Sequence, residues 1–195
     1  MKKLLKFLMV VLLLLSYGCE KKDASEQAKE CVLDFLNACH EGKTEDFKNY
    51  VTQDVMDYYN SLPSYFFGED YESFDEELKS EIQSFISKSI SSGYQSYEIK
   101  EIQPLDDKSF KVIASVEGVS NDTLYTQEEF LSYLETLPEE PLSSMNDTQL
   151  TSYFVKQNID FILTKLEKAI EEKDFITMDE TYTVINKNNT WKISY

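Results

Sequence analysis

The side chains of this 195-residue chain that could do acid–base, nucleophilic or metal chemistry are 36 carboxylates, 19 lysines, one histidine and three cysteines. Their spacing argues against most of that chemistry. His40 stands at the end of the first predicted helix beside Glu41. A cation there is mildly favoured by the helix dipole, so His40 reads as a solvated cap rather than a catalytic base. No Ser-His-Asp constellation can be assembled around it, and no catalytic residue is assigned. No His or Cys group has the spacing of a zinc site. The stretch GEDYESFDEE is acidic, but it lacks the alternating ligands and central glycine of a calcium loop. It reads as a helix start whose acids suit the dipole. The five glycines form no phosphate-binding loop. Neither a metal nor a cofactor is expected.

What remains is aromatic. Tyr58, Tyr59, Tyr65, Phe66 and Phe67 fall close together, with Tyr71 just beyond. Aromatic-lined concavities bind small molecules, which makes the first five a candidate ligand pocket. The alternative is that they pack helices onto a sheet.

Cys19 has a different chemistry. Met1-Lys2-Lys3 opens the chain, and residues 4–15 are apolar except for Lys6. That run is shorter than the roughly 20 residues of a membrane span and fits a secretory leader. No A-x-A-like cleavage site follows. Gly18 directly precedes Cys19, and the stretch resembles a bacterial lipobox, in which the leader is cut before a cysteine whose thiol carries diacylglycerol. Ser16 stands where leucine is usual, with Leu15 one residue further out, and Tyr17 is bulkier than usual. Two or more acyl chains make a stable anchor where one is marginal. The expected organisation is a leader over 1–18, a tether over 19–24 and one domain over 25–195. The expected location is the cell envelope, on a membrane and facing away from the cytoplasm. The membrane is then a partner through the lipid anchor.

Cys31 and Cys39 fall eight residues apart on one predicted helix. At 1.5 Å per residue their Cα atoms lie about 12 Å apart, beyond disulfide reach. Both read as small core residues on the face of Val32, Phe35 and Leu36.

The charge balance excludes further classes. The whole chain carries a formal −17. Loss of Lys2, Lys3 and Lys6 with the leader leaves 16 lysines against 36 acids, or −20. All the basic residues are lysine, so bidentate guanidinium recognition is impossible. Nucleic acid, which wants a basic face, is not expected as a partner. No protein or small-molecule partner is named by the sequence.

The elements that must position these groups follow from periodicity. Ala28, Cys31, Val32, Phe35, Leu36 and Cys39 recur at helical spacing. Asp23 and Glu26 are spaced as a capping box, and Gly42 ends the helix. Thr44 and Thr52 can start two shorter helices, with Phe47, Tyr50 and Val51 on the first and Val55, Met56 and Tyr59 on the second. Pro63 is expected to stop the second, leaving an aromatic loop. Ser73 and Glu76 are spaced as a capping box for a helix bearing Leu78, Ile82, Phe85 and Ile86, with Gly93 as its stop. The period then changes to two. Tyr97 and Ile99 lie on one strand, a turn falls at 104–107, and Phe110, Val112, Ala114 and Val116 face one way on the next strand. Thr126 and Glu129 open a helix with Phe130, Leu131 and Leu134, which Pro138 and Pro141 break. A longer helix spans 147–172, with Leu150, Phe154, Ile159, Ile162, Leu166 and Ile170 inward. Two strands close the chain, about 175–185 and 190–195, joined by a turn over 186–189. Tyr182 and Val184 share one face; Trp191, Ile193 and Tyr195 share another, and Lys192 points outward. Helices followed by an antiparallel sheet make an α+β chain.

The segments AKECVLDFLNACHEGKTEDFKNYVTQDV and DETYTVINKNNTWKISY resemble the opening helices and closing hairpin of nuclear transport factor 2-like (cystatin-like) domains. The resemblance implies N-terminal helices packed on a curved antiparallel sheet, the cone of that superfamily, with a helical insertion before the last two strands. It does not select a function, because the same cone serves enzymes, ligand binders and interaction modules. The reading is a lipid-anchored binding or interaction domain. The alternative is a carboxylate-dependent hydrolase or isomerase with its site in the cone.

Overall fold

The computed structural model of the protein describes residues 23–120, 124–138 and 142–194. Cys19, the leader, most of the tether, Pro141 and Tyr195 lie outside the described residues. Helix α1 is Ala24–His40, one residue into the expected tether. Asp23 caps it, but its carboxylate accepts from the Ser25 N–H, while Glu26 pairs with Lys29 instead of closing a capping box. Gly42, at φ +67°, takes the left-handed conformation that turns the chain after the helix.

A short 3-10 helix, Thr44–Asn49, follows. Val51 then forms a parallel bridge to Ile193. Ile193 donates its N–H to the Tyr50 carbonyl and accepts from the Thr52 N–H, each at 2.8 Å. This stitch begins helix α2, Gln53–Phe67. Thr52 stands at its N-cap without a side-chain capping bond, and its hydroxyl is buried with no partner.

Pro63 does not stop α2; it lies inside the helix. Leu62 and Pro63 are both buried, and Leu62 clusters with Phe74, Leu78 and Ile82. Burial of that face outweighs the missing N–H. The expected aromatic loop is therefore helix through Phe67, followed by a 3-10 turn over Glu69–Ser73. Helix α3, Glu76–Gly93, is capped by Asp75, whose carboxylate accepts from the Leu78 N–H at 2.8 Å. The capping box expected at Ser73 does not form; Ser73 completes the preceding turn, and a single side-chain cap stands two residues later at Asp75.

Strands β1 (Ser96–Asp106), β2 (Ser109–Gly118), β3 (Ile176–Lys187) and β4 (Thr190–Ser194) form one open antiparallel sheet in the order β1-β2-β3-β4. Pro104 is not a turn residue. It pairs with Phe110 in β1, where an edge strand tolerates its missing donor. Asn188 and Asn189, at φ +56° and +63°, make the turn between β3 and β4. Val184 pairs with Ile193, so Tyr182, Val184, Trp191 and Ile193 belong to one core cluster, not to two separate faces.

Helix α4 (Gln127–Leu134) and helix α5 (Asp147–Glu172) come between β2 and β3. Thr126 and Glu129 form the expected capping box. On α5 the buried aromatic is Phe161, which meets the rings of Tyr125, Phe130 and Tyr133, while Phe154 is exposed. The chain is thus an α+β fold: helices first, then a four-stranded sheet interrupted by a helical segment before its last two strands.

Beneath α1, the face formed by Phe110, Val112, Ala114, Tyr182 and Val184 meets Val32, Phe35 and Leu36 of the helix in one buried cluster. Trp191 joins it through the Phe110 ring at 5.5 Å, and the Cys31 thiol donates to the Trp191 carbonyl. Cys31 and Cys39 are buried free thiols. Lys192 points away from the core as expected, and at the surface its ammonium donates to the carbonyls of Lys48 and Asn49 at 2.9 and 2.7 Å.

Candidate functional site

Tyr94 follows α3 directly and joins the helix to the sheet. The junction is tight. A Cβ on Gly118 would lie 2.2 Å from the Gly93 carbonyl oxygen, so only glycine admits this approach of β2 to the helix end. Val119 N–H donates to Ser92 and Gln95 N–H to Glu117, at 2.9 and 2.8 Å. The Tyr94 carbonyl lies 2.7 Å from His40 Nδ1, and since a carbonyl only accepts, that nitrogen carries the proton. His40 is exposed and helps hold Tyr94.

The Tyr94 hydroxyl points under α1, where it is 3.2 Å from both carboxylate oxygens of Glu180. The Tyr182 hydroxyl donates to the same carboxylate. The sheet register explains why a carboxylate sits here. Glu180 pairs with Ala114, and Tyr182, two residues on, pairs with Val112. Both are core-face positions. The carboxylate thus accepts hydrogen bonds from two phenols in place of water. Burial, together with the Glu180 charge, pushes the Tyr94 phenol far above its ordinary value. Burial, with Tyr94 and Glu180 adding to it, does the same to Tyr182. Burial, with Glu180 adding to it, also raises the Cys39 thiol.

Tyr94 also lines a cleft of about 510 Å³. Its walls are the end of α2, the second half of α3, the middle of α5 and the segment at Leu124–Tyr125. Phe66, Phe85, Ile86, Ile159 and Ile162 provide much of an apolar lining that, among the described residues, contains no charged side chain. The volume is that of a small-molecule site. Lys156 on α5 bridges to Glu81 and Glu77 of α3 at 3.0 and 3.5 Å, clamping two walls together. Glu180 does not line the cleft.

Of the five nominated aromatics, the structure brings only Phe66 and Phe67 to this cleft. Tyr59 packs against Phe47 at 4.7 Å and lines a smaller neighbouring cavity of about 230 Å³. Tyr58 and Tyr65 are exposed, Tyr65 to 80%. Phe66 is 61% exposed at the rim. Tyr71 instead packs beside Phe74 and Phe67 in the cluster of α2 and α3. Sequence reasoning missed Tyr94, Glu180 and the α5 wall. The signal for Glu180 was present, since it precedes Tyr182 by two residues and so shares its face.

No known protein family, curated protein or solved structure matches the chain. Among the described residues, no helix is long and apolar enough to cross a membrane, and no group of three or more His, Cys, Asp or Glu side chains could hold a metal ion.

Proposed function

We propose that this protein is a lipid-anchored envelope domain that binds an apolar small molecule. In this reading Cys19 carries the lipid, a short polar tether follows, and the domain is a nuclear transport factor 2-like cone whose helical insertion has been used to build a binding cleft. The order of helices, sheet, insertion and closing hairpin supports the fold assignment.

The observation that carries the binding function is the cleft between α2, α3 and α5. Among the described residues it is apolar and without charged lining, in a chain of formal charge −17. Phe66 stays exposed at its rim where burial would otherwise be favoured. A carboxylate-dependent enzyme would have to use Glu180, the acidic residue that the register places on the core face. That carboxylate already accepts from two phenols and lies outside the cleft lining, so binding is the better reading.

The test is native mass spectrometry of the full chain purified from membranes. A bound apolar molecule should appear as added mass on the wild type. It should be absent from Ile162→Trp, whose indole fills the cleft. Equal masses carried by both proteins would contradict the proposal.

A further inference from the structure

The lining of the cleft also restricts the kind of molecule it can hold. Asn158 on α5 and Ser89 on α3 both line it, and among the described residues neither side chain has a hydrogen-bond partner. Tyr94 differs, because its hydroxyl already donates to Glu180. Among the described residues the cleft therefore offers a hydrocarbon-like interior with two unengaged neutral polar side chains, those of Asn158 and Ser89. The amide of Asn158 both donates and accepts. A ligand that covers these groups without returning a hydrogen bond leaves them desolvated and unpaired, which is unfavourable.

Charged ligands fare worse. Among the described residues no lining side chain can neutralise a carboxylate or an ammonium, and removing an unpaired charge from water is strongly unfavourable. The negative field of the whole chain further disfavours anions.

We infer that the cleft selects a neutral amphiphile: an apolar chain or ring system carrying one uncharged hydroxyl, carbonyl or amide that meets Asn158 and Ser89. This rests on the reading of the cleft as a binding site and adds the ligand class. The apolar part lies against Phe66, Phe85, Ile159 and Ile162. The polar end replaces the water that Asn158 and Ser89 otherwise hold.

The experiment uses membranes bearing the full chain and a set of photoreactive alkyl diazirines of one chain length. One probe ends in a hydroxyl, one in a carboxylate, one in an ammonium and one in a methyl group. Labelled peptides from the middle of α5 are quantified. The alcohol should label this peptide about tenfold more than the acid or the amine. Asn158→Leu should lower alcohol labelling about tenfold, the equivalent of one hydrogen bond, and raise methyl-probe labelling, because the amide no longer has to be desolvated unpaired. A methyl signal at or above the wild-type level shows that the variant is folded. If acid and alcohol label equally, or Asn158→Leu does not affect the alcohol, the neutral-amphiphile class is overturned while the binding site stands. If the methyl probe also fails to label the wild type, the binding-site reading fails with it. Cross-links between two copies through this peptide would place a second chain in the cleft and overturn the inference.

Discussion

Tyr94 and Glu180 are 86 residues apart in sequence, yet the Tyr94 hydroxyl lies 3.2 Å from both oxygens of the Glu180 carboxylate. This contact ties the end of α3 to the core face of β3. Tyr94 is also a wall of the cleft, so one residue connects the sheet's polar centre to the apolar site.

Removal of the Tyr94 hydroxyl should therefore be felt. Tyr94→Phe is expected to lose about 1.5–3 kcal/mol at neutral pH, the range for a hydrogen bond to a charged group. The pH dependence carries a second signature. The folded state holds the protons of Tyr94 and Tyr182, both raised from 10.0 mainly by burial, more tightly than the unfolded chain does. Cys31 is raised from 9.0 to about 11, again by burial, against the opposing charge of Lys192. Raised values contribute stability that is complete at low pH and lost on the alkaline side. Stability should hold below about pH 9, then fall as first the thiols and then the phenols of the unfolded chain ionise, by up to about 1.4 kcal/mol per pH unit for each group. Urea denaturation across pH 8–11 measures this. Tyr94→Phe should have a shallower limb above pH 10, and a limb identical to wild type would show that Tyr94 is not held neutral.

Thr52 offers the opposite sign. Its buried hydroxyl has no partner and makes no cap bond. Thr52→Val keeps the shape and removes the unmet group, which should stabilise the fold by up to about 1 kcal/mol. For a chain of this length that is roughly 2–4 °C in melting temperature. A lower melting temperature would mean that the hydroxyl is satisfied in solution.

Trp191 and Lys192 are neighbours on β4 with different tasks. Trp191 is buried against Phe110, and Trp191→Ala should cost about 3–5 kcal/mol. Lys192 points away from the core but holds two carbonyls of the turn after α1. Lys192→Ala should cost about 1 kcal/mol, more than an ordinary surface change. Guanidinium denaturation of both variants decides the order. A silent Lys192→Ala would mean that water serves those carbonyls equally well.

The anchor is tested separately from the cleft. Cys19→Ser should abolish metabolic labelling with a fatty acid and release the chain from washed membranes. Unchanged labelling in the variant would place the lipid elsewhere or remove it from the account.

Much of the fold was legible because local signals and tertiary packing agree. The apolar stripe of α1 lies on the sheet as its period requires, and α5 runs from Asp147 to Glu172 as its pattern predicts. The misreadings fall where they disagree. Pro63 breaks a helix by local rules, but burial beside Leu62 keeps it helical. Pro104 signals a turn, but an edge strand admits it. Phe161, not Phe154, faces inward on α5, because α4 and Tyr125 cover that side with aromatic rings. The cleft was not legible because its walls come from four separate segments. Clustering along the chain found Phe66 and Phe67 but could not exclude Tyr58 and Tyr65, whose side of α2 faces solvent.

The central claim is that the cleft between α2, α3 and α5 binds apolar molecules. Fluorescence titration with N-phenyl-1-naphthylamine tests it most directly, using the chain without its leader. Wild type should enhance the emission saturably with one site per chain, and Asn158→Leu should bind at least as tightly because this probe returns no hydrogen bond to the amide. Ile162→Trp should lose the enhancement while keeping its far-ultraviolet circular dichroism. Saturable binding of equal strength in a folded Ile162→Trp, or no binding to wild type, would contradict the account.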